Sequence, residues 1–414
     1  MISRSLYKYL PLYVFLGIWG LVFFFYNLKL YNIYPASAST LHLILFGILA
    51  FASGYILFTM YDVQGLKPAD QDLSVSLNPG NMAWLVTGLT LTTILGALLI
   101  IYTVAIELGG VEAYYNTPIR VRNLFTGYQN NPLTPPPLSF KVGNYLINTG
   151  FAGTVFGGVL FSLNHKFRYL GILIIPAFIF ASTVTIGRYT LVNSLFFFIF
   201  AYIIATYYLK PRLRKKRLIE ICIYSAAFVI FLGLFTFILL EFRTTQGTEN
   251  AVKEYALKSS YLYLTGGITA LDNFLDQDFA LVYGQSSFRS IFRWLIQLEM
   301  WDESNLKAVH EPFTSVTPSI SINTYTFVKS FFEDFGISGV LFFSFIFGAL
   351  CKVANHAAFN SFSFIKSGIA ITFIFAALMS FYSFYFHSIT TAVYRILIIA
   401  VIQYVFANKL KVKH

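Results

Sequence analysis

The chain is divided into apolar runs about as long as a bilayer is thick. A spanning helix needs roughly 20 apolar residues. Ten segments qualify: 11–29, 41–61, 83–106, 143–163, 168–187, 189–209, 218–240, 335–354, 367–386 and 390–408. In a bilayer core the backbone N–H and C=O groups must pair within the segment, which selects helices. The pattern predicts an all-α polytopic membrane protein with about 10 transmembrane helices. Composition agrees: 57% of the 414 residues are hydrophobic and 11% are charged, against roughly 25% charged in soluble domains. The first run is long and lacks a clear small-residue cleavage site, so it reads as a retained helix.

A net charge of +11 could suggest nucleic acid, but the cations are not gathered on a soluble module. Their placement speaks instead to topology, because Lys and Arg accumulate in cytoplasmic loops. "KPRLRKKR" (210–217) holds six cations in eight residues. Placing it inside also puts Arg4, Lys8, "NHKFR" (164–168), Lys352, Lys366 and the tail "NKLKVKH" inside. The result is an N-in/C-in protein forming a single membrane domain. The basic run could also bind anionic lipid.

Three connections are long: 62–82, 107–142 and 241–334. The second is a smaller outer loop and the third a large one, well beyond ordinary loop length. "ENAVKEYALKSSYLYLTGG" predicts an amphipathic helix ending at a glycine pair. "SSFRSIFRWLIQLEMW" sets Phe288, Ile291, Phe292 and Leu295 on one helical face. Helices of this kind suit a membrane surface. The large loop is expected to be a folded cap of short interfacial helices.

Soluble-enzyme signatures are missing: no Walker loop, Rossmann fingerprint, HExxH, CxxC or GxSxG occurs. "EDFG" contains a kinase triplet without the glycine-rich or catalytic loops, and it opens a membrane run. Cys222 and Cys351 lie in apolar segments. No cluster has metal-ligand spacing, so neither a metal nor a cofactor is expected.

Arginines then become the candidates for chemistry. From Tyr169 to Leu209 the only charged residue is Arg188, in "TIGRYTLVNSLFFFIF". The run splits at Gly187–Arg188 into two spans, so the cation caps a hairpin at the outer surface. Arg120 and Arg122 lie in "NTPIRVRNLFTGY", Arg243 in "LLEFRTTQG", and Arg289 and Arg293 are four apart. Arg395 lies just inside the last span. Guanidinium is planar, always charged and able to bind phosphate bidentately, and an ionisable group within a membrane segment is a functional hypothesis by default. Bland alternatives stand beside each. Arg188 could mark a turn, and Arg395 could snorkel or pair with Glu107. Arg289 and Arg293 could form a wet helix face, Arg120 and Arg122 could be solvated, and Arg243 could neutralise Glu241. Glu333 and Asp334 precede the eighth run, where anions also favour a helix N-terminus. His310 is the only histidine of the large loop.

"TVTIGRYTLVNSLFFF" and "NTYTFVKSFFEDFGISGVLFFSFIFG", set in this topology, resemble the Wzy-type O-antigen and capsule polymerases of bacteria, which join oligosaccharide repeat units. The resemblance implies a GT-C-like bundle in the cytoplasmic membrane with its site facing outward. It implies repeat units on undecaprenyl diphosphate as substrates, and a chain-length regulator and flippase as partners. The family's "GR" maps onto Arg188 and its loop-opening arginine onto Arg243. The closing motif maps onto Thr324, Thr326, Asp334, Gly336 and Gly339. Arg120, Arg122, Arg289, Arg293, Arg395 and His310 are further substrate-binding candidates. Asp334 is the candidate base, with Glu333 and His310 behind it. The related O-antigen ligases carry a histidine where "NTYT" stands here. A ligase and a lipid-linked oligosaccharide transporter are the alternatives, although no internal repeat of the transporter kind is visible.

Overall fold

A computed structural model describes residues 7–61, 77–117, 120–121, 123–125, 136–163, 165–185, 187–209, 249–302 and 313–406. The expected span 218–240, the basic run 210–217, Arg122, Arg243 and His310 lie outside the described residues. Among the described residues, eight helices are long and apolar enough to cross a membrane. The protein is a helical, multi-pass membrane protein.

The first helices are α1 (Leu10–Asn27), α2 (Ala38–Tyr61) and α3 (Pro79–Leu108). Helix α3 begins four residues before its apolar run because Asn78 caps it, accepting from the N–H groups of Gly80 and Asn81. A short α4 (Val111–Asn116) follows, then α5 (Leu138–Ser162). The run 168–187 divides into a 3-10 turn (Lys166–Leu173) and α6 (Ile174–Val184). Helix α7 (Arg188–Leu209) completes the hairpin.

Beyond it come α8 (Glu249–Leu275), α9 (Arg289–Gln297) and a small antiparallel hairpin of β1 (Thr314–Thr317) and β2 (Ile320–Ile322). The last three helices are α10 (Phe327–Asn360), α11 (Phe364–Leu378) and α12 (Ile389–Val405). Helix α12 is apolar but has only 17 residues, and 3-10 turns at Met379–Phe381 and Tyr385–Ser388 lead into it.

Helices α2 and α10 approach closely. A Cβ on Gly54 would lie 2.0 Å from the Phe345 carbonyl oxygen, and one on Gly348 would lie 2.0 Å from that of Phe51. Small residues at such crossings let backbones meet where there is no water to drive association. Phe51 also stacks on Phe15 of α1 at 3.8 Å.

Two expectations for the large loop are corrected. Helix α8 does not stop at its glycine pair but continues to Leu275. The glycines serve packing instead. A Cβ on Gly266 would meet Ile322 of β2 at 2.7 Å, and one on Gly267 would meet the Phe381 carbonyl at 3.1 Å. Nor does α8 lie flat as a free amphipathic helix, because it docks on the ends of α1 and α2. The Tyr261 hydroxyl donates to Phe25 O at 2.9 Å. Asp272 accepts from the Ser37 and Thr40 hydroxyls, both at 2.6 Å, and from Ser37 N–H at 3.0 Å, beside the start of α2.

Candidate functional site

The end of the bundle that carries Arg188 gathers most of the described arginines. Gly187 N–H donates to Ser182 O at 3.0 Å, closing the turn from α6 into α7, and Arg188 is the first residue of α7. Helix α4 lies over this turn, where the Tyr114 hydroxyl donates to Val184 O at 2.6 Å. Burial raises the pKa of that phenol, so it stays a donor. Arg120 follows in the same stretch and is exposed, while its neighbour Val121 is fully buried.

Arg395 departs from both bland readings. It sits six residues into α12, about 9 Å from Ile389 at the helical rise, and it is 5% exposed. It neither snorkels nor meets Glu107. Its Nε and Nη2 donate to Asn148 Oδ1 at 3.1 and 3.0 Å, and Nη1 donates to the Tyr385 hydroxyl at 3.2 Å. The guanidinium carbon lies 3.5 Å from the ring centroid of Phe151 and 5.9 Å from that of Phe197. Tyr189, next to Arg188, sets its ring 6.3 Å from that of Phe375, whose centroid lies 5.2 Å from that of Tyr385. A row of rings therefore runs from the first turn of α7 to the tyrosine that holds the buried cation. No carboxylate pairs with Arg395 among the described residues. Ring faces and amide oxygens spread the charge but do not cancel it.

Helix α9 brings Arg289 and Arg293 to the same end. Ser290, between them in sequence, accepts from the Thr390 hydroxyl of α12 at 3.5 Å. Both arginines are half-buried. Burial lowers the Arg293 pKa, yet guanidinium remains charged at any working pH. The apolar face of α9 rests on α10, with Phe288 and Phe343 centroids 5.7 Å apart.

Asp334 fixes that arrangement. It lies inside α10 rather than ahead of it, because the helix starts at Phe327. Its Oδ1 accepts from Ser286 N–H at 2.9 Å and its Oδ2 from Ser287 N–H at 2.7 Å. Val282 and Tyr283 N–H donate to the carbonyls of Glu333 and Asp334. The turn before α9 is thus bound to α10 by four bonds. Gly336 then takes φ +65°, which kinks α10 and favours glycine. A Cβ on Gly339 would lie 2.6 Å from the Phe331 carbonyl. The spacing of "DFGISG" therefore has a local reason: an anchor, a kink and a close approach.

One turn earlier, Lys329 and Glu333 form a buried ion pair at 3.0 Å. Lys329 Nζ also lies 4.8 Å from the ring centroid of Phe274 and 5.0 Å from that of Tyr325. Thr324 and Thr326 are buried nearby in sequence, and neither hydroxyl has a hydrogen-bond partner among the described residues. The clusters around Arg395 and Lys329 are distinct. No group of three or more His, Cys, Asp or Glu residues suited to a metal occurs among the described residues.

Sequence reasoning missed Asn148, Tyr385, Ser182 and Asn193. The signal was present, since Asn148 and Asn193 are amides inside apolar runs, in "YLINTG" and "TLVNSL". An amide there asks for a partner just as a charge does. No family model, curated protein or solved structure matches this chain.

Proposed function

We propose that the chain polymerises lipid-diphosphate-linked oligosaccharide repeat units into a surface polysaccharide. In this reading ten spans with N-in/C-in topology form a GT-C-like bundle in the bacterial cytoplasmic membrane. The Arg188 end faces outward, toward the periplasm where one exists. The observation that carries the reading is Arg395. A buried guanidinium without a carboxylate partner among the described residues, close to the ring of Phe197 in the helix that Arg188 opens, suits a multiply charged anion.

In the reaction, an acceptor sugar hydroxyl on one carrier attacks the anomeric carbon of the glycan on another. The new C–O bond forms as the bond to the diphosphate oxygen breaks. The bonding pair leaves with the diphosphate, and the hydroxyl proton passes to a base. Diphosphate is a good leaving group, so the useful help is positive charge placed where negative charge develops. Arg188, Arg243 and Arg395 are assigned that role. Arg120, Arg122, Arg289 and Arg293 hold the anionic and polar parts of the substrates, and Thr324 and Thr326 meet sugar hydroxyls. Asp334 is the candidate base, since each carboxylate oxygen keeps a lone pair beyond its bond to backbone. Glu333 and His310 stand behind it. The membrane holds both carriers in two dimensions and the folded loop orients the sugars. A chain-length regulator and a flippase are the expected partners.

Glycan ladders on a gel test the reading. Arg188→Ala, Arg243→Ala and Arg395→Ala should each abolish long chains while expression and membrane insertion persist. Normal ladders in all three would overturn the proposed diphosphate role.

A further inference from the structure

Five structural elements place polar side chains in one layer beneath the Gly187–Arg188 turn. Its floor is aromatic: the Phe151 centroid lies 4.7 Å from that of Phe178 and 5.8 Å from that of Phe197. Arg395 lies on the Phe151 ring and is held by Asn148 and Tyr385. Residues four apart share a helix face. Ser182 is therefore one turn from Phe178 on α6, toward the Gly187 turn. Asn193 is one turn from Phe197 on α7, also toward that turn, and one turn from Tyr189. Helical spacing thus puts both residues on the helix faces that Phe178 and Phe197 turn toward that floor.

Ser182 and Asn193 are each 0% exposed. The Ser182 hydroxyl and both amide atoms of Asn193 have no hydrogen-bond partner among the described residues. Buried polar side chains are seldom left in that state. Arg395 adds to the demand, because three of its N–H groups have acceptors here and guanidinium carries five. Together these groups define what fits. The cation calls for an anionic oxygen. Asn193 calls for a group that both donates and accepts, since its Oδ1 would face only lone pairs on a bare phosphate.

We propose that this layer is a sugar-phosphate subsite, in which Arg395 takes the phosphate and Ser182 and Asn193 read hydroxyl or amide groups on the attached ring. The inference rests on the polymerase reading for its biological substrate, the first sugar of a lipid-linked repeat unit. The chemistry it requires is only a phosphate ester of a hydroxyl-bearing ring. Ser182 and Asn193 would then set which first sugar is accepted.

The test uses full-length protein in phospholipid nanodiscs. Its probes are inorganic phosphate, α-D-glucose 1-phosphate and N-acetyl-α-D-glucosamine 1-phosphate. Binding is measured by ligand-observed NMR. At least one sugar phosphate should bind about tenfold more tightly than inorganic phosphate, the scale of one buried hydrogen bond. Asn193→Leu should erase that preference and leave phosphate binding within about twofold. Arg395→Gln should weaken all three probes. Ser182→Ala, which removes one hydroxyl, serves as a second variant if Asn193→Leu does not fold. Equal binding of the three probes by the wild type, or no binding of any, overturns the subsite. So does a preference unchanged in Asn193→Leu, the result expected if that amide is satisfied by water. The ladder experiment is a separate readout. Normal ladders in the arginine variants, with a retained sugar-phosphate preference in the wild type, would remove the diphosphate role in polymerisation and leave the subsite standing.

Discussion

Lys329 and Arg395 are both cations buried in apolar helices, yet they are neutralised differently. Lys329 meets Glu333 one turn along its own helix at 3.0 Å, so the pair carries no net charge. Arg395 has an amide oxygen, a phenol and a ring face, none of them anionic. Taking a charge out of water costs several kcal/mol even after relaxation, and an opposite charge offsets much of that. The Lys329 cluster is electrostatically closed and explains itself as structure. The Arg395 cluster is open among the described residues, and an anion arriving there gains attraction that none of their carboxylates has taken.

That contrast can be broken by mutation. The largest effect is expected at the closed pair. Glu333→Ala takes the paired carboxylate from buried Lys329, and should cost about 3–5 kcal/mol. Thermal unfolding in detergent should show the loss, and Glu333→Ala with Lys329→Met should recover most of it. If the single and double variants unfold alike, the pair is not what stabilises this end of α10.

Asp334→Ala comes next. It orphans the buried N–H groups of Ser286 and Ser287, at about 1–3 kcal/mol each. Hydrogen exchange should rise at 282–288 ahead of the rest of the chain. A Ser290→Cys/Thr390→Cys disulfide, made with Cys222 and Cys351 replaced, should restore protection around α9. It should restore glycan ladders only if Asp334 acts by positioning rather than as a base.

The open site should behave oppositely. Arg395→Met strands none of the described carboxylates, so unfolding should shift by no more than about 1–2 kcal/mol in either direction. Ladders should nonetheless disappear. Arg395→Lys should keep partial function, because a point charge replaces a planar fork. A collapse in stability on Arg395→Met would show that the cation is structural and would erase the contrast with Lys329.

The smallest effect is expected away from both clusters. Gly266→Ala should cost less than about 1 kcal/mol, because the added Cβ meets only the Cδ1 end of Ile322 and alanine favours the helix. Its readout is the midpoint of thermal unfolding. A larger loss would mean that the β-hairpin does not yield.

Much of this was legible in the chain. Eight of the expected spans coincide with long apolar helices, seven of them within about five residues, while α10 starts eight residues before its expected span. The Gly187–Arg188 break falls where the run is too long for one crossing. The large loop was harder to read. A glycine pair ends a helix in isolation, but here Gly266 and Gly267 lie against Ile322 and the Phe381 carbonyl, neighbours far away in sequence. Asp334 looked like the residue ahead of a helix. The helix begins at Phe327, because Phe327 and Phe331 pack among Phe15, Trp19 and Phe384.

The sequence by itself determined that the chain is helical and multi-pass, and where most of its long helices lie. Apolar length and backbone self-satisfaction are local properties, readable one segment at a time. Which buried charges are closed and which are open was decided only by tertiary structure. Glu333 reaches Lys329 along one helix, but Asn148 and Tyr385 join Arg395 from other elements. No spacing in the chain encodes that meeting, because it depends on how the helices cross.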